Sequence, residues 1–138
     1  YGSLAGYKRV SRIKTVGGST VIGASGEMSD FQYIMEILED MHQGDLNLDD
    51  GFERSSAEIF NLMRTVMYNR RNKFNPLWSS LLIAGCTKEG VPFLGSVDDI
   101  GTCYEDSIIA TGFGGHLALP ILRKRWRADL EEGEARSV

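Results

Sequence analysis

Few side chains in this 138-residue chain have the type and spacing to do chemistry. His42 and His116 are its two histidines. A serine or cysteine nucleophile needs a base that a carboxylate orients, and no spacing here singles out such a set. Both histidines therefore read as structural, His42 at the end of a first helix and His116 at the start of a third. Cys86 and Cys103 have neither CxxC spacing nor a histidine nearby. They read as reduced, buried thiols of an intracellular protein rather than as a disulfide or zinc ligands. Gly112-Phe113-Gly114-Gly115 lies between a predicted strand and a predicted helix, where exposed amides can hold a phosphate. A Walker loop continues with Lys-Ser or Lys-Thr, however, and here His116-Leu117 follows, so the glycines read as a strand-to-helix bend. Arg70, Arg71 and Lys73 form a dense basic cluster. At a helix C-terminus they complement the dipole; beside Trp78 they also have the composition of a protein contact. Both readings stand.

The whole chain limits the remaining options. Hydrophobic residues make up 42% and charged residues 25%, as in ordinary globular domains. The net charge of -4 speaks against a general nucleic-acid binder, which needs a basic face. No apolar run approaches the roughly 20 residues of a membrane span. No signal peptide is expected, because Lys8, Arg9 and Arg12 lead into no long apolar block. A single domain, 1–138, is the expectation, with no cofactor and no metal.

The elements that would position these residues follow from periodicity. Tyr7 to Val16 alternates imperfectly as a half-buried strand, Gly17-Gly18 turns, and Thr20 to Ala24 returns as its hairpin partner. Ser29 and Gln32 have the spacing of a capping box. Phe31, Ile34, Met35, Leu38 and Met41 then form a helical stripe that Gln43-Gly44 should stop. Asp45 to Arg54 reads as a solvated acidic loop, without the carboxylate spacing of an EF-hand. Ser55 to Glu58 is a second capping box, and Ile59, Leu62, Met63, Val66 and Met67 make the apolar face of a second helix. Asn75-Pro76 ends it. Leu77 to Ala84 reads as a strand buried on both faces and closed by Gly85. Thr87 to Gly90 turns into Val91 to Val97, and Thr102 to Glu105 and Ser107 to Thr111 read as two more short strands. His116 to Arg127 should be helical, with Leu117, Ile121 and Leu122 facing inward, and Glu131 should start another helix. Grouped rather than alternating elements point to an α+β fold with an antiparallel sheet.

Three stretches carry a resemblance: Ala24 to Gln32 (ASGEMSDFQ), Val66 to Gly85 (VMYNRRNKFNPLWSSLLIAG) and Ala110 to Trp126 (ATGFGGHLALPILRKRW). Together they resemble the non-catalytic seventh beta-type subunits, the beta type-4 family, of the eukaryotic 20S proteasome core, and the likeness runs from Tyr1 to about Asp129. It implies a four-layer αββα sandwich of the N-terminal-nucleophile hydrolase type. It also implies strands ahead of Tyr1 and further elements after Val138, so the chain would be incomplete at both ends. The implied partners are other beta subunits of the same ring, alpha-ring subunits and beta subunits of the opposite ring, with neither nucleic acid nor membrane, in cytoplasm and nucleus.

Active relatives attack with an N-terminal threonine whose own amine serves as base; Tyr1 could not replace it. The resemblance places Gly26 at the turn whose amide serves an oxyanion hole in active relatives, here a relic. Those relatives carry serines in the loop where Phe113 and Gly115 stand, and losing both hydroxyls fits a subunit that does not cut peptides. The implied role is structural. Its alternatives are a threonine protease whose nucleophile lies upstream, and a free-standing adaptor using the 70–78 surface. Arg70, Arg71 and Trp78 are the interface candidates.

Overall fold

Alternation along three strands decides which side of the sheet is the core. In the computed structural model, which describes residues 9–87 and 89–138, β2 (Thr20–Gly26), β3 (Ser79–Cys86) and β4 (Pro92–Val97) lie side by side in a five-stranded antiparallel sheet. β1 (Ile13–Val16) pairs with β2 at one edge and β5 (Cys103–Glu105) with β4 at the other, in the order β1-β2-β3-β4-β5. The register sets Ile22 beside Ile83, and Ala24 beside Leu81 and then Val97. These five side chains share one face and are buried.

Two long helices cover that face. α1 (Met28–Leu48) contributes Phe31, Ile34, Met35 and Leu38, and α2 (Ser56–Asn72) contributes Ile59, Phe60, Met63 and Met67, to one core with the strand residues. The opposite face is only partly covered. Val21 is exposed, and Leu82, Ala84 and Leu94 are half-buried. The C-terminal segment lies near Leu94, leaving a cavity of ≈ 250 Å³ that Ile108, Ile109, Leu122 and Trp126 help to line. The described residues thus form one sheet with two long helices on one face and the short C-terminal helices near the other, and β3 is fully buried on one face where both were expected.

The Ser55 capping box is present in full. The Glu58 amide donates to Ser55 Oγ, and the Ser55 amide donates to Glu58 Oε2 at 2.7 Å. Ser55→Ala should cost about 1 kcal/mol, readable as a lowered urea midpoint of the full-length protein. One residue on, Ser56 is buried and Oγ-to-Oγ 2.9 Å from Thr20. There α2 sits so close to β3 that a Cβ on Gly85 would collide with Ser56 Oγ and the Ser19 carbonyl.

Several expectations are corrected. The first helix is capped by Glu27, whose carboxylate accepts from the Ser29 amide, and not by Ser29 with Gln32. It runs through Gly44 to Leu48 and ends at Asp49, whose φ is 48°. A single mid-helix glycine costs only about 1 kcal/mol, too little to stop a helix this well packed. Asp45 to Leu48 is therefore helical, Asp45 pairs with Arg54 at 2.7 Å, and His42 lies inside the helix rather than at its end. Residues 107–111 form no strand: after the Asp106 amide donates to Leu94, the Ser107 amide turns onto the Asp106 side chain. The third helix is divided into α3 (Gly114–Leu117) and α4 (Leu119–Arg125), with Pro120 in the first turn of α4. Leu117 and Ile121 are exposed rather than turned inward, while Leu122 is half-buried and lines the cavity beside Leu94. α5 (Glu132–Ser137) forms as expected. Both cysteines are free, but Cys86 is exposed and Cys103 half-buried. Tyr1, the Tyr7–Lys8 start of the first expected strand, and Lys88 lie outside the described residues.

Candidate functional site

One corner of the molecule gathers most of the singled-out residues. It is where β2 ends, α1 begins, α2 ends and β3 begins. Gly26 closes β2 with φ 102°. A Cβ there would run into the carbonyl oxygen of Trp78. That carbonyl accepts from the Glu27 amide at 2.8 Å, while the Trp78 amide donates to Asp30 Oδ2 at 2.8 Å. Trp78 is thus clamped through its backbone to the start of α1, and its indole is left 65% exposed. From the other side, Arg12 Nη1 donates to the Gly26 carbonyl at 3.0 Å.

The end of α2 completes the corner. The Phe74 amide donates to the Arg71 carbonyl and the Asn75 amide to the Arg70 carbonyl, at 3.0 and 3.1 Å. This closure puts Phe74 in the left-handed region, φ 53°, with its ring 98% exposed. The Arg70 guanidinium lies over the Tyr33 ring of α1 at 5.6 Å, and the Arg71 guanidinium over Tyr68 at 5.9 Å. Arg71 Nη1 also donates to Asn72 Oδ1. Arg70 Nε is buried without a hydrogen-bond partner. No ion pair forms at either arginine among the described residues. Residues 1–8 and Lys88 contain no Asp or Glu that could supply one.

Gly26, Arg70 and Trp78 therefore belong to one neighbourhood, linked through the start of α1, while the contacts of Arg71 stay on α2. Phe113 and Gly115 do not join it: among the described residues, no hydrogen bond, ion pair or ring contact connects their loop to Gly26 or Arg70. Phe113 precedes α3 with its ring 84% exposed. At Gly115 a Cβ would meet only the Ala110 carbonyl, at an ordinary 3.5 Å. Gly115→Ser should leave stability within about 0.5 kcal/mol of the parent, checked by thermal unfolding of the full-length protein. The absent hydroxyl is not something packing demands.

Tyr33, Asp30 and Phe74 were not singled out by sequence. Nothing local marks Tyr33 or Asp30, whose partners lie across the fold. Phe74 carried a signal, since a helix stopped by Asn75-Pro76 leaves the preceding residue at its left-handed closing position. Among the described residues no group of three or more His, Cys, Asp or Glu could hold a metal ion, and no helix is long and apolar enough to cross a membrane. The corner presents two exposed rings, Phe74 and Trp78, and two guanidinium groups stacked on tyrosines.

The family model described as proteasome subunit matches residues 1–138. Proteasome subunit beta type-4 of Arabidopsis thaliana is 51% identical over 130 residues, covering 94% of this chain and 52% of that protein. The beta type-4 subunit of Dictyostelium discoideum is 52% identical, covering 90% and 48%, and that of Xenopus laevis 43% identical, covering 100% and 57%. The chain spans about half the length of the curated relatives it matches.

Proposed function

The chain belongs to the proteasome subunit family, in its beta type-4 branch, and from that premise we propose that the protein is a structural subunit of the 20S core beta ring. Its fold is the family's N-terminal-nucleophile hydrolase fold, mixed α/β with an antiparallel sheet. In this reading the protein holds its place between neighbouring beta subunits, against alpha subunits on one side and the opposite beta ring on the other. It serves intracellular protein degradation, in cytoplasm and nucleus, without cutting peptides itself.

The observation that carries the reading is the match of the family model along residues 1–138 together with beta type-4 relatives at 51% and 52% identity. The non-catalytic part rests on Phe113 and Gly115, which stand where the resemblance puts the serines of active relatives, with Gly115 in space that would accept a side chain. Gly26 adds no support for catalysis, because the Trp78 carbonyl already requires a glycine there. The test is purification of the tagged full-length protein. Elution with a barrel-sized particle is expected; elution as a monomer alone overturns the proposal. Sequencing the mature N-terminus within that particle separates the roles, because a leading threonine that takes a proteasome inhibitor makes the subunit a protease.

A further inference from the structure

The corner at the end of α2 is poorly explained by the needs of this chain alone. A bulky residue in the left-handed region is a true outlier and carries backbone strain. Phe74 bears that strain and buries nothing, its ring being 98% exposed. Four residues on, Trp78 is exposed although its backbone is fixed at both ends of the peptide unit, N–H to Asp30 and C=O from Glu27. The adjoining end of α2 carries two guanidinium groups, Arg70 resting on the Tyr33 ring of α1 and Arg71 on the Tyr68 ring of α2 itself. Stacking fixes the planes without satisfying their donors. A guanidinium has five N–H donors in a rigid fork suited to a carboxylate. Among the described residues Arg70 has no hydrogen-bond acceptor at its buried Nε, and no carboxylate pairs with either arginine. The protein is acidic overall, with 19 Asp and Glu against 15 Lys and Arg. Arg70 and Arg71 are thus cations with no ion-pair partner among the described residues of a net-negative chain.

We propose that this corner docks an acidic segment of a neighbouring subunit, with separate carboxylates received by Arg70 and Arg71 and an apolar side chain seated on Phe74 or Trp78. The proposal rests on the proteasome reading and adds the chemistry of one of its contacts. Arginine and aromatic anchors are the residue types that dominate interface energetics. Stacking on Tyr33 and Tyr68 pre-organises the cations, which lowers the ordering cost on binding.

Two measurements on the particle purified through the tagged full-length protein test this. In the first, the wild-type particle is treated with an arginine-directed dicarbonyl, and labelling is compared with the same protein released by denaturant. Arg70 and Arg71 should be protected in the particle; labelling as fast there as after release overturns the proposal. In the second, Arg70→Lys and Arg71→Lys particles are treated with a water-soluble carbodiimide, which joins a lysine only to a carboxylate in direct contact. A cross-link from position 70 or 71 to an Asp or Glu of another subunit is expected. Cross-links to this chain alone, or none, overturn it. If a variant fails to enter the particle, the wild-type labelling decides. If the wild-type protein never enters a particle, the proteasome reading falls and takes this inference with it, an outcome distinct from an intact particle with reactive arginines.

Discussion

Gly26→Ala is expected to destabilise the full-length protein by about 2–6 kcal/mol, of which holding alanine in a glycine-only conformation supplies about 1–3 kcal/mol and forced repacking a similar amount. The residue has φ 102°, and its new methyl group would meet the Trp78 carbonyl, a backbone atom fixed by the Glu27 amide. Nothing there can swing aside as a side-chain tip would. Gly51→Ala separates the two causes: it too has a positive φ, 73°, but open space around it, so only strain of about 1–2 kcal/mol should appear. Urea midpoints of the two variants read the difference. Equal values would mean that the Trp78 carbonyl yields easily.

Ile83→Ala should cost about 2–5 kcal/mol. Ile83 is fully buried in the core between the sheet and the two long helices. Its neighbour Leu82 points to the other face and is half-buried among the described residues. The family fold stacks a second sheet on that side, so in the full-length protein Leu82→Ala should cost about as much as Ile83→Ala by the same cavity argument. Denaturant unfolding of the two variants checks this directly, and a Leu82→Ala cost near zero would show an uncovered face.

What could be read from sequence was what is local. The Ser55-to-Glu58 box lies within one helical turn, and both of its bonds form. The Gly17-Gly18 hairpin joins neighbouring strands, and its register follows. The other capping signal failed because the helix begins earlier: Glu27 is its N-cap, and the Ser29 amide and hydroxyl both donate to the Glu27 carboxylate, so that hydroxyl does not cap Gln32. Gly44 failed as a stop because the packing of α1 outweighs one glycine. Leu117 and Ile121 have helical spacing, but spacing gives a shared stripe and not what lies opposite it. For the site, the basic cluster and Trp78 were legible as composition. Their union with Gly26, Asp30 and Tyr33 was not, since the Trp78–Asp30 bond spans 48 residues of sequence.

The half-covered side of the sheet has a kinetic consequence. Ile13 and Val21 stand exposed there, and Leu82 and Leu94 are only half-shielded. Such greasy ground attracts a second copy as readily as its proper cover. Encounters between copies rise with the square of concentration, whereas closure within one polypeptide does not depend on it. Dilution, slow synthesis or a holding chaperone should therefore all raise the soluble yield of the full-length protein, and for the same reason.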